Sequence, residues 1–351
     1  MTAPTRPAAA LPPDTLRSGV LPRSTPWVVG LVALAVSAAG SRALGTGTAA
    51  LLVVAAVLFL VLLGAVSAAV EGRRRAVDRM AGGSVVVAFL LALAPLAGVL
   101  GYTLQRGLAR FDAEFFNRSL RNIGARDVGG GAYHAILGTL EQVGMAALIS
   151  VPFGLLVAVY IVEYGRGRLA QAIRFFVDVM TGIPSVVAGL FVLSFWILGL
   201  GFGYSGFAAA LALTILMLPT IVRSAEEMLK LVPSSLREGA LALGVPQWKV
   251  ILRIVLPTAR AGIVTGVMLA VARVMGETAP VLLTAFGAAS INPNLFSGAQ
   301  ASLPLMIFQQ AGDAQRTAID RAWTAALTLI LVIMVLNLVA RVVTSRSTLR
   351  R

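Results

Sequence analysis

The residues with the most chemistry in this sequence sit inside a run that lipid should claim. In TGVMLAVARVMGETAPVLLTAF, residues 265–286, Arg273 and Glu277 stand four apart, followed by Thr278 and Pro280. On one helix that spacing puts both charges on one face. An Arg at mid-membrane depth costs about 2.5–3.5 kcal/mol on insertion scales, so it is expected to face a cavity or a partner. Its guanidinium offers planar, bidentate donors suited to phosphate oxygens. Glu277 can hold that guanidinium in place, Thr278 can add a neutral hydroxyl, and Pro280 can break the helix and free carbonyls. The plain alternative is an ion pair that only rigidifies a bundle, but such a pair gains little over apolar residues.

Other chemistries are poorly supplied. There is no cysteine, which excludes thiolate ligands and cysteine nucleophiles. The single histidine, His134, follows Gly129–Gly131 and reads as a loop residue; alone it makes neither a zinc site nor a Ser-His-Asp set. The only lysines, Lys230 and Lys249, do not follow a glycine, so no G-x-x-x-x-G-K-[ST] phosphate loop is present.

Composition then sets the elements that must carry these residues. The 351 residues are 58% hydrophobic and 13% charged, against about 45–50% and about 25% in soluble domains. This is the balance of an all-α polytopic membrane protein. Eight runs reach the roughly 20 residues a span needs: 27–44, 49–70, 84–104, 136–163, 182–200, 206–222, 261–287 and 322–343. Of the 29 Lys and Arg residues, 20 fall in the proposed inner segments, 8 in the outer ones, and Arg273 lies within a span. That bias puts both termini in the cytoplasm and explains the net charge of +14 without a nucleic-acid partner. Residues 1–26, Pro-rich with Arg6, Arg17 and Arg23, lack the pattern of a signal peptide and are expected to be a disordered cytoplasmic tail. Residues 344–351 form a second cytoplasmic tail. The longer outer loops are 105–135 and 288–321.

The inner segment 223–260 is amphipathic and punctuated. In VPSSLREGALALGVPQWKVILRIVLP, Ser235 and Glu238 have capping-box spacing, and Leu236, Ala240 and Leu243 are spaced for one helical face. Gly244 suits a left-handed helix end. Pro246 suits the first turn of a second helix, expected to run to Pro257. Two short helices with a bend can lie on lipid or dock a cytoplasmic partner.

The same residues resemble the EAA loop of ABC importer permeases, read as E-A-A, three residues, G, nine residues, I, one residue, L-P. Glu238, Ala240, Gly244, Ile254, Leu256 and Pro257 stand at those spacings, with Gly239 at the middle Ala. At about 5–10% per position, six matches arise by chance on the order of 10⁻⁷ per start point. The runs 148–191, 216–244, 273–286 (RVMGETAPVLLTAF) and 302–310 (SLPLMIFQQ) are similar to the PstA-type permeases of phosphate importers. The resemblance covers roughly 84–343. It implies a MetI-like core of six transmembrane helices, here preceded by two extra helices at 27–70 about which the family says nothing.

Further expectations follow from the resemblance. Residues 238–240, Gly244, Leu256 and Pro257 couple the chain to a separate ATPase; Arg273, Glu277 and Thr278 line the substrate path; the outer loops receive an extracytoplasmic binding protein. The implied partners are a second permease (PstC-like), an ATPase dimer (PstB-like) that binds ATP and Mg, a phosphate-binding protein (PstS-like), phosphate and membrane lipid. No cofactor and no metal belong to this chain, and it is not itself an enzyme. A permease for sulfate or molybdate, or a non-transporting membrane scaffold or sensor, are the competing readings. Among the remaining punctuation, Gly182, Pro184, Ser185 and Gly189, and the pair Gly262 and Gly266, read first as close helix packing. Glu141 and Asp178 read as solvated or snorkelling carboxylates, and Glu163, Arg166 and Arg168 as markers of the inner surface.

Overall fold

A computed structural model describes residues 19–165 and 167–348, with side chains through 342. Most of the expected N-terminal tail, Arg166 and the last three residues lie outside the described residues. The chain divides into two compact units, residues 1–101 and 102–351.

The first unit holds α1 (Thr25–Leu44), α2 (Thr48–Glu71) and most of α3 (Arg73–Gly107). α1 and α2 pack on one another across a three-residue turn, as the two runs at 27–44 and 49–70 suggest. The start of α1, the end of α2 and the start of α3 are tied by one buried carboxylate. Glu71 pairs with Arg79 at 2.6 Å and accepts hydrogen bonds from the Ser67 hydroxyl at 2.8 Å and the Leu21 N–H at 2.9 Å. Elsewhere the faces are apolar and open (Phe89, Leu90, Leu96, Val99), as lipid contact requires. At 35 residues α3 begins well before the expected span at 84.

The second unit continues with α4 (Ala113–Asn117), α5 (Tyr133–Val159, prolonged by a wide π-turn to Tyr164), α6 (Arg168–Thr181) and α7 (Ser185–Val192, prolonged likewise to Gly199). Then follow α8 (Gly206–Lys230), α9 (Ser234–Ala242), α10 (Gln247–Val250), α11 (Leu256–Met275), α12 (Ala279–Ala285), α13 (Leu303–Ala311) and α14 (Arg316–Thr348). α8 is the axis. It packs against α5, α6, α7, α11 and α12. Its small buried face, Ala208–Ala210, Ala212 and Ala225, lets those backbones approach.

Small residues on the partner helices complete the fit. A Cβ on Gly262 or Gly266 would lie 2.2 Å from Met228 Sδ or 2.4 Å from Ser224 Oγ, both on α8. A Cβ on Gly189 would sit 2.7 Å from Pro280 Cα. Gly189, Gly262 and Gly266 pack as expected; Gly182 does not, since it ends α6 and a Cβ there would meet only the Val179 carbonyl of its own helix at 3.5 Å.

Among the described residues, seven helices are long and apolar enough to cross a bilayer, or eight if the bent pair α6–α7 counts as one. That pair corrects the expected regular span at 182–200. Gly182–Ile183–Pro184 is a turn, and the two arms meet at 103°. Pro184 cannot continue α6, so the apolar arm starts afresh at Ser185. The 261–287 run is also not one helix, as described below. α8 extends to Lys230, eight residues past its expected end, and α14 remains helical into the expected C-terminal tail.

Candidate functional site

Two places gather the predicted residues: the break after α11, and the bracket between α8 and α11.

α11 stops at Met275. The Gly276 and Glu277 N–H groups turn back onto Arg273 O and Val274 O at 3.3 and 3.1 Å. Thr278 flanks the start of α12 and Pro280 occupies its first turn. Proline has no N–H to donate and its ring crowds the carbonyl four residues back, here Gly276, so the break is written locally. It overturns the expectation that Arg273 and Glu277 share one helical face, because the helix ends two residues before Glu277. Among the described residues neither forms an ion pair. Arg273 is exposed on the single chain, and Glu277 and Thr278 are half-buried. α12, seven residues long, is held by α7 and α8 with Pro280, Val281, Thr284 and Ala285 buried.

The bracket follows its expected outline with three corrections. The capping box is absent: α9 begins at Ser234 after Pro233, so Ser235 is already inside the first turn and its hydroxyl caps nothing. Leu236, Ala240 and Leu243 are not buried together. Ala240 points inward, Leu236 is exposed, and Leu243, at 85% exposure, has left the helix. The second helix does not end at Pro257. Residues 247–275 form one continuous helix, with a π-turn over Ile251–Val255 immediately before Leu256 and Pro257. The wider turn drops the backbone bond that proline cannot make.

Gly244 does adopt the left-handed conformation at φ 79°, which reverses the chain between α9 and α10. Pro246 caps the second helix from just outside it. Val250, Ile251 and Val255 face inward, while Leu236, Leu241, Trp248 and Leu252 remain exposed. Glu238 and Gly239 are also exposed, and nothing stands within 4 Å of a Cβ placed on Gly239.

The bracket is fastened by residues that sequence reasoning passed over. Arg237 donates to Glu163 Oε1 from Nε and Nη2 at 3.0 and 2.9 Å, and to the Leu229 and Val232 carbonyls at 2.8 and 2.5 Å. Gln247 donates to the Glu163 carbonyl at 2.8 Å. Glu163 is thus a nearly buried anchor at the end of α5 and not a surface marker. Beside it, buried Glu226 gathers Lys230 at 2.7 Å and Arg174 and Arg223 at 3.2 Å each. Asp178 pairs with Arg223, so it too is engaged and not merely solvated. The signal available for Glu226 was a carboxylate three residues from Arg223 and four from Lys230.

At the other end of α5 the expected loop residue His134 lies in the first helical turn, 3% exposed. Glu141 accepts a hydrogen bond from Gln300, whose Oε1 in turn accepts from Gln142 at 2.9 Å. Arg321, assigned from sequence only to an outer loop, is 1% exposed and spans from α14 to the loop before α5.

A bundle of long apolar helices interrupted by broken and re-entrant ones, with a helical bracket at one end, is the architecture of a membrane permease. The chain belongs to the binding-protein-dependent transport system inner membrane components, whose family model matches residues 150–348. It is a multi-pass membrane protein and a permease subunit. Among its relatives is the phosphate transport system permease protein PstA 1 of Mycobacterium tuberculosis H37Rv, 49% identical over 280 residues, 80% of this chain and 91% of that protein. The PstA of Pasteurella multocida is 38% identical over 248 residues, 70% of this chain and 87% of that protein. A bacterial ABC transporter that imports the acidic polysaccharide alginate shares the fold, with a TM-score of 0.50 at 16% identity, over 78% of this chain and 99% of that one.

Proposed function

We propose that this chain is one transmembrane half of an ATP-driven inorganic phosphate importer, with Arg273 contacting phosphate on the translocation path. The observation that carries the reading is the break after α11. It leaves a guanidinium exposed on the chain's own surface, without a carboxylate partner among the described residues, beside half-buried Glu277 and Thr278. A charge left open at that depth needs a cavity, an anion or a neighbouring subunit. The names carried by the relatives supply the anion.

In this reading Arg273 presents paired donors to phosphate oxygens. Glu277 accepts a hydrogen bond from the proton that phosphate retains near neutral pH and sulfate does not, and Thr278 adds a hydroxyl. The exposed apolar side chains of the bracket, with Glu238, Gly239, Ala240 and Gly244, seat in a cleft of an ATPase subunit. Motion there passes along one continuous helix, through Leu256 and Pro257, to the Arg273 end. ATP and Mg belong to that partner, because this chain has no phosphate loop. The further partners are a PstC-like second permease, a PstB-like ATPase dimer and a PstS-like binding protein, with both termini of this chain cytoplasmic. The N-terminal pair α1–α2 is an accessory to this core.

Radiolabelled phosphate uptake by Arg273→Ala and Glu238→Lys complexes tests both halves of the proposal, with membrane levels and ATPase co-purification followed in parallel. Arg273→Ala is expected to abolish uptake with the complex whole, and Glu238→Lys to release the ATPase. Normal transport by both would sink the reading. Glu277→Gln is expected to admit sulfate as a competitor; unchanged rate and selectivity would remove its role.

A further inference from the structure

We propose that a cavity at the Tyr133 end of α5 is a second oxyanion site, one that takes inorganic phosphate far from the bracket. The inference rests on the phosphate reading for the identity of the anion, but its evidence is separate. α5 and its extension run 32 residues from Tyr133 to Tyr164, about 48 Å at 1.5 Å per residue, so the cavity and the bracket occupy opposite ends.

The cavity has a volume of about 130 Å³ and is lined by Leu120, Ile123, His134, Leu305, Gln309 and Gln310, with the backbone of 287–289. That is room for about four waters, or for one tetrahedral oxyanion with a water beside it. Three polar side chains reach it without protein partners for the atoms concerned. His134 is 3% exposed and its Nδ1 has no hydrogen-bond partner among the described residues. A buried polar atom left this way is costly unless something occupies the space in front of it. Gln310 turns its Oε1 to Arg321 Nε at 2.9 Å, which leaves its amide nitrogen as a donor. Gln309, exposed at the rim, lends another amide.

The charge behind this wall selects the ligand's sign. Arg321 is 1% exposed, yet every acceptor it uses is neutral. They are Gln310 Oε1 and the carbonyls of Gly124, Ala125, Asp127 and Gly129, at 2.9 to 3.4 Å. No carboxylate lies within ion-pair distance of it among the described residues. Asp127 and Asp313 are near it in space but are turned to backbone, accepting from the Gly124 and Gln315 N–H groups at 2.7 and 3.0 Å. Both carboxylates act on the guanidinium only from a distance, and the Arg110 cation opposes them, so a buried cation with no contacting counter-ion favours an anion next to it. The layer between them is Gln310, which passes the polarity on: its oxygen to the cation, its N–H toward the cavity. The donors His134 Nδ1–H, Gln309 Nε2 and Gln310 Nε2 then fit phosphate oxygens.

His134 is the chain's only histidine, which makes it a reporter. The assembled complex is labelled with ¹⁵N-histidine, and the His134 imidazole signals are assigned by their absence in the His134→Asn complex. Inorganic phosphate is titrated in, with chloride as a separate control, in wild type and in Arg273→Ala, where the pathway site is gone. A saturable shift at Nδ1 is expected with phosphate, unchanged by Arg273→Ala, with affinity weakened about tenfold by Gln309→Ala. Gln309 is surface-exposed and makes no hydrogen bond within the described residues, so its loss leaves the fold intact. An imidazole signal that does not move, or that moves equally with chloride, overturns the site and leaves the cavity to water. Normal His134 titration with failed uptake in wild type would refute the importer reading alone, and the converse would refute this site alone.

Discussion

Replacing Arg237 with methionine removes the guanidinium that fastens the bracket but keeps a flexible apolar stem of similar reach. What it abandons can be counted. Glu163, whose side chain is 6% exposed, loses two charge-assisted bonds at 2.9 and 3.0 Å. The Leu229 and Val232 carbonyls lose one donor each. Charge-assisted bonds contribute about 1.5–3 kcal/mol apiece, and leaving one member of a buried pair unpaired costs about 3–5 kcal/mol. A conservative 3 kcal/mol raises the opening constant of the bracket by a factor on the order of 10².

The assay is amide hydrogen exchange in the assembled complex, read over 234–256. Faster exchange is expected there while the buried face of α8 keeps its protection, since local opening is cooperative within a unit and need not spread. Glu163→Met should do the same. The double variant should be less damaged than the sum of the two, because neither charge then remains buried and alone. Exchange at wild-type rates in both single variants, or strict additivity in the double, would refute the anchor.

Other positions give sharper contrasts. Gly239→Ala meets nothing within 4 Å and replaces a helix-interior glycine, so α9 should gain about 0.8–1 kcal/mol, seen as slower exchange across 236–242. Gly189→Val must push a methyl-bearing carbon against the Pro280 backbone at 2.7 Å; a loss of about 1–3 kcal/mol should lower the melting temperature of the purified complex, and an unchanged melting curve would contradict the packing of α7 on α12. Arg321→Met takes a donor from four carbonyls of the loop before α5; those of Gly124 and Ala125 keep the Asp127 N–H and the Thr317 hydroxyl, while those of Asp127 and Gly129 are left bare. Trypsin added to the face that bears this loop should then cut at Arg118, Arg121 or Arg126 well before it cuts wild type, and equal resistance would show that the loop holds itself.

Local rules reached far along this chain because so much of its structure answers to the nearest few residues and to lipid. The apolar runs became helices, Gly244 became the left-handed turn that reverses the bracket, and the small faces at Gly189, Gly262 and Gly266 became helix contacts. Even the break near Arg273 follows from Pro280, four residues after the carbonyl it cannot serve; the error was to carry the i, i+4 pairing of Arg273 and Glu277 across it. The capping box failed because the helix starts two residues early, with Pro233 and not Ser235 at its N-cap.

The tertiary structure decided what needs partners distant in sequence. Arg237 finds Glu163 across 74 residues, Gln300 finds Gln142 across 158, and Arg321 finds the carbonyls of a loop nearly 200 residues earlier. No periodicity encodes such pairs. A charged or amide side chain in an apolar run says only that its hydrogen bonds must be met somewhere. Where they are met depends on which helices close packing sets side by side.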